Sequence, residues 1–408
     1  MSEPSKPRKE SFSSELTTVI KSNMRQYTMI AALFTIWLIF YILTYVKFGS
    51  NVFLLPRNIS NLFMQMVTIA TMTSAMVLVM VAGNIDLSVG SVCGTLGAFA
   101  AWLMSRQGFH PVFAIIITLA LGFVVGCWHG YWIAFQKVPA FIVTLASMWA
   151  FRGFTLMITK GVTIGEFTEG FKQIGQGYLP SFGTIPKLGG GGTLDLSTLI
   201  LVALAAIIYV VADLRIRKNR IQNGFTVLRQ SLETTKIIII LAAILGVGMV
   251  LASYRGIPYA ILLLALVAGI FIVVTTRTPF GRHVYAIGGN VEAARLSGVN
   301  VRSTLMRICM LMGIMSATGA LVFTSRLNAA TTAAGNGFEL EVIASCIIGG
   351  TSPSGGIGTV FGAIIGALVM TSLDNGMSLM DWPIMIQYIV KGFILLLAVW
   401  IDIANRKK

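Results

Sequence analysis

The chain has 408 residues, of which 56% are hydrophobic and 11% charged, with a mean hydropathy of +0.83. An ordinary soluble domain carries roughly 25% charged residues, so this composition excludes one and points to an integral membrane protein. The formal charge of +15, from 30 Lys and Arg against 15 Asp and Glu, would suit nucleic acid if it formed a patch, but it lies in short clusters between apolar blocks.

The apolar blocks run for about 17 to 25 residues without internal charges, long enough to cross a hydrocarbon core of roughly 30 Å at 1.5 Å per residue. Membrane-barrel strands would alternate instead, so the fold is expected to be all-α and polytopic. Spans are expected near residues 28–46, 59–82, 87–105, 111–135, 139–159, 195–214, 236–253, 257–276, 303–325 and 384–402. Segments 338–349 and 357–373 are short or broken by Gly, which gives about ten to twelve transmembrane or broken helices, with twelve crossings as a working count. The domain plan is thus a polar tail over 1–27, a membrane domain over 28–403 containing a polar loop at 277–303, and a short tail over 404–408.

Basic residues mark alternate loops. Lys6, Arg8, Lys9, Lys21 and Arg25 precede the first span; Arg215, Arg217, Lys218, Arg220 and Arg229 follow residue 214; Arg277, Arg282, Arg295 and Arg302 share the later loop; Arg406, Lys407 and Lys408 end the chain. The positive-inside rule puts all of these, and both termini, in the cytoplasm. Residues 163–195, with mixed charge and a GGGG run at 189–192, then lie outside, where a partner is expected. No cleavable signal peptide is expected, since the first 27 residues are polar and the first apolar block is of spanning length.

An internal repeat stands out. GSVCGTLGAFAA from Gly90 aligns on GTVFGAIIGALV from Gly358, so that Gly90, Gly94 and Ala98 match Gly358, Gly362 and Gly366. Each copy is a stripe of small residues four apart, which allows close helix packing in lipid. Each follows a break, GNIDLSV or GGTSPSGGI, with Asp86 and Ser354 at matching offsets. Paired broken helices in two related halves are a transporter pattern; ordinary packing is the alternative. Asp86 at a helix start suits free backbone N–H groups, and Asn84, Asp86 and Ser88 together offer polar groups to a passing solute.

Enzyme chemistry is missing. There is no G-x-x-x-x-G-K-[ST] loop, and GGGGTLDLS lacks the lysine; no His-Glu-x-x-His or Gly-x-Ser-x-Gly motif occurs. Cys93, Cys127, Cys309 and Cys346 lie in apolar segments without paired spacing, so neither disulfides, a metal site nor a cofactor is expected. Arg152, Lys391, Glu339 and Glu341 lie near or within spans, where snorkelling or pairing between helices is the simplest role.

In the 277–303 loop, Asn290 is a good N-cap, Glu292 suits the positive end of a helix, and Gly298 is a natural residue after its end. The two turns between them need an outside surface to be ordered. Val291, Ala294 and Gly298 form a small face suited to docking. An ordinary surface turn between spans is the alternative.

AIGGNVEAARLSGVNV, residues 286–301, resembles the cytoplasmic coupling loop of ABC importer permeases of the ribose, xylose and galactose class. VAGNIDLSVGSV (81–92), VPAFIVTLASMWAFRG (138–153) and ELEVIASCIIGGTSPSGGIGTVFGAIIGAL (339–368) agree, and the resemblance covers Asn58 to Asp402. The span region 195–235 and the phrase AFRG look most like xylose or multiple-monosaccharide permeases, while Asn84 stands where many relatives carry Gly. The resemblance implies a bacterial inner-membrane homodimer around one pathway, a separate cytoplasmic ATPase with two nucleotide sites, and an extracytoplasmic sugar-binding protein. It makes Asn290, Val291, Glu292, Ala293, Ala294, Ser297 and Gly298 the ATPase-coupling residues. Neutral sugars need polar groups and aromatic faces, so Asn84, Asp86, Ser88, Trp149 and Asn328 are the pathway candidates. Two other readings stay open: an ion-coupled secondary transporter, and a permease of the same class for nucleosides or a signalling furanose.

Overall fold

A computed structural model describes residues 24–187, 192–225 and 230–406. Three of the four glycines at 189–192 and several basic residues of the tails and of the loop after 222 lie outside the described residues. The fold is all-α with a few two- and three-residue strands.

The helices follow the apolar blocks. The helices are α1 (Met24–Phe48), α2 (Pro56–Val81), α3 (Val89–Ser105), α4 (Pro111–Gly130, continued by a π-turn over Tyr131–Phe135) and α5 (Ala140–Thr159). After a short α6 (Glu169–Gln176) come α7 (Leu196–Gln222), α8 (Gln230–Ala252) and α9 (Tyr259–Arg277). Two small helices, α10 (Pro279–Gly289) and α11 (Val291–Leu296), precede α12 (Val301–Leu327), α13 (Phe338–Ile348), α14 (Val360–Leu379) and α15 (Ile384–Arg406). Among the described residues nine helices are long and apolar enough to cross a membrane; α3 and the apolar part of α15 are shorter.

Four helices make the core. Almost all of α2 is buried, and α3, α12 and α14 are largely so, whereas α1, α4, α5, α7, α8, α9 and α15 show large apolar side chains outward. That inside-out division is what lipid requires of a helix bundle.

Each small-residue stripe grips the α13 region. A side chain on Gly90 or Gly94 would collide with the carbonyls of Gly335 and Ala334, just before α13. One on Gly362 or Gly366 would collide with those of Gly349 and Ser345, at its far end, while Gly358 meets Thr351 and Val81. Ala98, the residue matched to Gly366, is fully buried beside Ile164 and Phe167. A third stripe, Gly122, Gly126 and Gly130 on α4, packs on Gly313, Cys309 and Met306 of α12. The α13 helix is only 11 residues long and is reached by turns over 331–337, so this crossing is half helix and half irregular backbone. Irregular backbone at that depth is tolerated only where protein covers it. Here Arg152 of α5 donates to the carbonyls of Ala334 and Gly335 and to Asn336 Oδ1, all at 3.0–3.1 Å.

The two ends of the bundle differ. At one, residues 160–187 and 192–195 are tied down: strand β1 (Ile164–Gly165) pairs with β4 (Ala329–Ala330), β2 (Thr184–Pro186) with β3 (Thr193–Asp195), and Tyr178 bridges to Pro258. Lys47 at the end of α1 joins this same end, bonding Asp381 beyond α14 at 2.8 Å. The other end carries α10, α11 and the break before α14.

Candidate functional site

Two arrangements are candidates for function, one at each end of the bundle. At the small-helix end, Thr278 caps α10 by accepting from Gly281 N at 3.1 Å, and Pro279 supplies the first-turn residue that lacks an N–H. Asn290 then caps α11 by accepting from Ala293 N at 3.0 Å, and Gly298 follows with φ +84, a conformation that favours glycine. Glu292 and Arg295 pair on the exposed side at 2.9 Å, and Ser297 Oγ donates back to the Ala293 carbonyl. Ala294 faces inward at 4% exposure, whereas Val291 is 47% and Leu296 82% exposed. The face open to a partner therefore comprises Val291, Ala293 and Leu296 with the Glu292–Arg295 pair, and Ala294 anchors the helix to its own chain.

This helix pair touches the ends of other elements. Gly288 lies on the Val81 carbonyl and beside Gly356 N, while Gly356 N itself donates to Val81 O at 2.9 Å. Tyr285 Oη donates to the Gly358 carbonyl at 2.6 Å. The end of α2 and the break before α14 thus meet one small helix through close backbone contacts.

Asn84, Asp86 and Ser88 sit together in the break between α2 and α3. Asp86 is 6% exposed, and its Oδ1 accepts from Ser88 N at 2.8 Å and Ser88 Oγ at 2.6 Å, bracing the approach to α3. The matched Ser354 behaves differently: it donates from its N to Ser352 Oγ, so the bracing acceptor is two residues earlier in the second break. Trp149 is 71% exposed on α5, and Asn328 ends α12 with φ +52, accepting from Phe167 N at 3.2 Å. The structure does not bring Trp149 or Asn328 to the other three.

At the strand end, a polar crevice descends between core helices. Its outer part, about 350 Å³, is lined by Tyr178, Tyr254, Arg255 and Gln176; Gln65 and Arg326 continue into an inner part of about 240 Å³. At the inner end Lys391 of α15 bonds Glu341 of α13 at 2.6 Å and Asp374 of α14 at 2.8 Å. Lys391 and Glu341 are thereby paired between helices, as the sequence leads one to expect, but Asp374 escapes a hydropathy reading because the apolar run stops at residue 373. Gln65, Thr68 and Arg326 were equally hidden: Gln65 and Thr68 sit inside an apolar run, and Arg326 falls just past the expected span 303–325.

Comparison with known proteins places the chain. The family described as branched-chain amino acid transport system / permease component matches residues 58–399. The xylose transport system permease protein XylH of Haemophilus influenzae is 43% identical over 386 residues, covering 95% of this chain and 98% of that one. XylH of Escherichia coli K12 is 43% identical over 392 residues, covering 95% and 93%. The ribose import permease protein RbsC of Bacillus subtilis is 32% identical over 358 residues, 87% of each chain. No solved structure matches. With nearly the whole membrane portion matched from Asn58 onward, the chain belongs to the family of branched-chain amino acid transport system permease components.

Proposed function

We propose that the chain is the permease of an ATP-driven importer for a monosaccharide of the xylose type, multi-pass in a bacterial inner membrane. The observation that carries this reading is 43% identity with xylose permeases over 95% of the chain, against 32% with a ribose permease. The ion-driven and nucleoside readings have no relative in their support among these.

In this reading the small-helix end and both termini are cytoplasmic and the strand end faces out, in line with the basic clusters. Two copies of the chain enclose one pathway. A separate ATPase subunit with two nucleotide sites docks on the exposed residues of the Asn290–Gly298 segment, Val291, Glu292, Ala293, Arg295 and Leu296 among them, and an extracytoplasmic binding protein delivers sugar to the strand end. Closure of the ATPase sites pushes α11 and α10, and the Gly288 contact passes that push to α2 and to the break before α14. Both helices border α13 or the crevice, so the push changes which end is open. The α2–α3 break, with Asn84, Asp86 and Ser88, flexes in the same step.

The test is uptake of labelled xylose and ribose by cells lacking this chain and by cells with it restored. Xylose uptake is expected to vanish and return, and to survive an uncoupler while ATP is maintained. Unchanged uptake in the deletion, or collapse with the ion gradient at constant ATP, would overturn the reading.

A further inference from the structure

We propose that the inner crevice of each protomer, between α2, α12, α13, α14 and α15, is a binding site for one neutral, hydroxyl-rich sugar ring. Its choice of sugar rests on the function proposed above; the site itself is argued from four features.

First, the crevice holds unmet hydrogen-bonding capacity. Thr68 is 2% exposed and its Oγ1 has no partner, while Arg326 Nε is buried and also unpartnered. Both line the cavity. A buried polar group without a partner costs about 1–3 kcal/mol, so such groups mark a place where a ligand or water supplies the bond.

Second, the charges cancel. Arg326 and Lys391 carry two positive charges, Glu341 and Asp374 two negative ones, and Lys391 already binds both carboxylates. A cation would have to displace Lys391, and an anion would meet two carboxylates within the same pocket. A neutral ligand faces neither penalty.

Third, the lining offers both senses of hydrogen bond beside an apolar face. Gln65, Thr371, Ser378 and Gln387 can donate or accept. Phe323 and Phe338 form an edge-to-face pair with centroids 5.1 Å apart, and both line the cavity. Hydroxyls around a ring with an apolar C–H face match that mixture.

Fourth, the site has an entrance. The outer part, with Tyr178 and Tyr254 stacked edge-on at 6.2 Å, shares Gln65 and Arg326 with the inner one. The inner volume of about 240 Å³ leaves room for one five- or six-carbon ring.

The experiment uses full-length permease in nanodiscs and measures binding of tritiated D-xylose, with D-ribose, glycerol and choline as competitors. Weak binding of a sugar is expected, lowered about three- to tenfold by Thr68→Val, which keeps the shape and removes the hydroxyl, and by Gln65→Leu. As a second readout, Ser378→Cys should be alkylated by a small thiol reagent and protected by the same sugar. Binding and protection by ribose but not xylose would keep the site and overturn the xylose reading. Normal xylose uptake in cells, with no sugar bound, no protection and no effect of Thr68→Val, would overturn the site and leave the transport reading standing. Competition by choline as strong as by sugar would also overturn it.

Discussion

Gly288 rests directly on the carbonyl oxygen of Val81, so that any side chain at 288 would collide with the end of α2 and with Gly356. Its neighbour Gly289 has open space at the same position. Gly288→Val should therefore abolish uptake while Gly289→Ala is tolerated, since overpacking costs about 1–3 kcal/mol at the first and nothing at the second. Uptake by both variants, normalised to the amount in the membrane, checks this. Equal uptake would show that the contact carries no motion.

Gly362 is the centre of the second small-residue stripe and abuts the carbonyl of Gly349. Leu at 362 should prevent assembly of α13 against α14, again at about 1–3 kcal/mol or more. Phe361→Leu, one residue away at 63% exposure, is the matched control and should behave as wild type. Detergent-solubilised yield and thermal midpoint separate the two. A normal midpoint for Gly362→Leu would contradict the packing.

The charged trio of Glu341, Asp374 and Lys391 should respond unequally to its members' removal. Lys391→Met leaves two carboxylates in a largely covered site, and breaking such a pair from one side costs about 3–5 kcal/mol. The triple variant Lys391→Met, Glu341→Gln, Asp374→Asn has no charge left to bury and should recover most of the lost thermal midpoint. A single variant as stable as wild type would show the trio to be solvated.

Hydropathy alone placed most of the long helices to within about four residues, but it stopped short of the charged end of α7 at Gln222, of the polar start of α8 at Gln230 and of the end of α14 at Leu379; the two turns between Asn290 and Gly298 have the expected caps. Spanning length and capping are local properties and need no tertiary information. The helix α10 hid inside what reads as a polar loop, although Thr278 and Pro279 are a legible start, because its short amphipathic run lacks spanning hydropathy. The crevice was illegible for a different reason. Gln65, Arg326, Asp374 and Lys391 come from four helices, and nothing local in sequence tells which polar residues of a span face one another. Ala294 shows the same limit at small scale: the sequence gives its helix, and only the packing tells that it points inward.

Asp195 should make stability acid-sensitive at the start of α7. Burial works against its charge, but hydrogen bonds from Ser181, Thr198 and Ser197 outweigh that and hold its carboxyl below the usual range. Thr198 N and Oγ1 reach Oδ2 at 2.8 and 2.6 Å. A depressed carboxyl stabilises the fold above the unfolded value of about 3.9, and that contribution is lost as pH falls through the folded value. Asp195→Asn keeps a good cap and should flatten the loss of thermal midpoint below about pH 4; Asp195→Ala should cost about 1 kcal/mol at neutral pH. Identical acid profiles for wild type and Asp195→Asn would rule the cap out as the cause.

Leu296 is the residue through which the small helix should grip its ATPase. It is 82% exposed at the tip of α11, beside the exposed Val291 and Ala293, in a helix too short to be ordered without support. Ala294 on the opposite side is fixed to the chain's own α10–α12 end, so an Arg there would disturb this protein before it disturbed any partner. Replacing Leu296 by Glu leaves the inward packing intact and removes a large apolar anchor, a type of change that costs about 2 kcal/mol or more at the centre of an interface. Gly298, at φ +84, is needed to turn the chain into α12, and Gly298→Val should misplace the whole helix. The expected outcome for Leu296→Glu is normal membrane level and normal thermal midpoint, with ATPase co-purification and sugar uptake both reduced about tenfold or more. Ala293→Arg should act in the same direction, because the exposed small residue allows close approach of the partner surface. Wild-type uptake by Leu296→Glu with the ATPase still bound would move the contact away from α11 altogether.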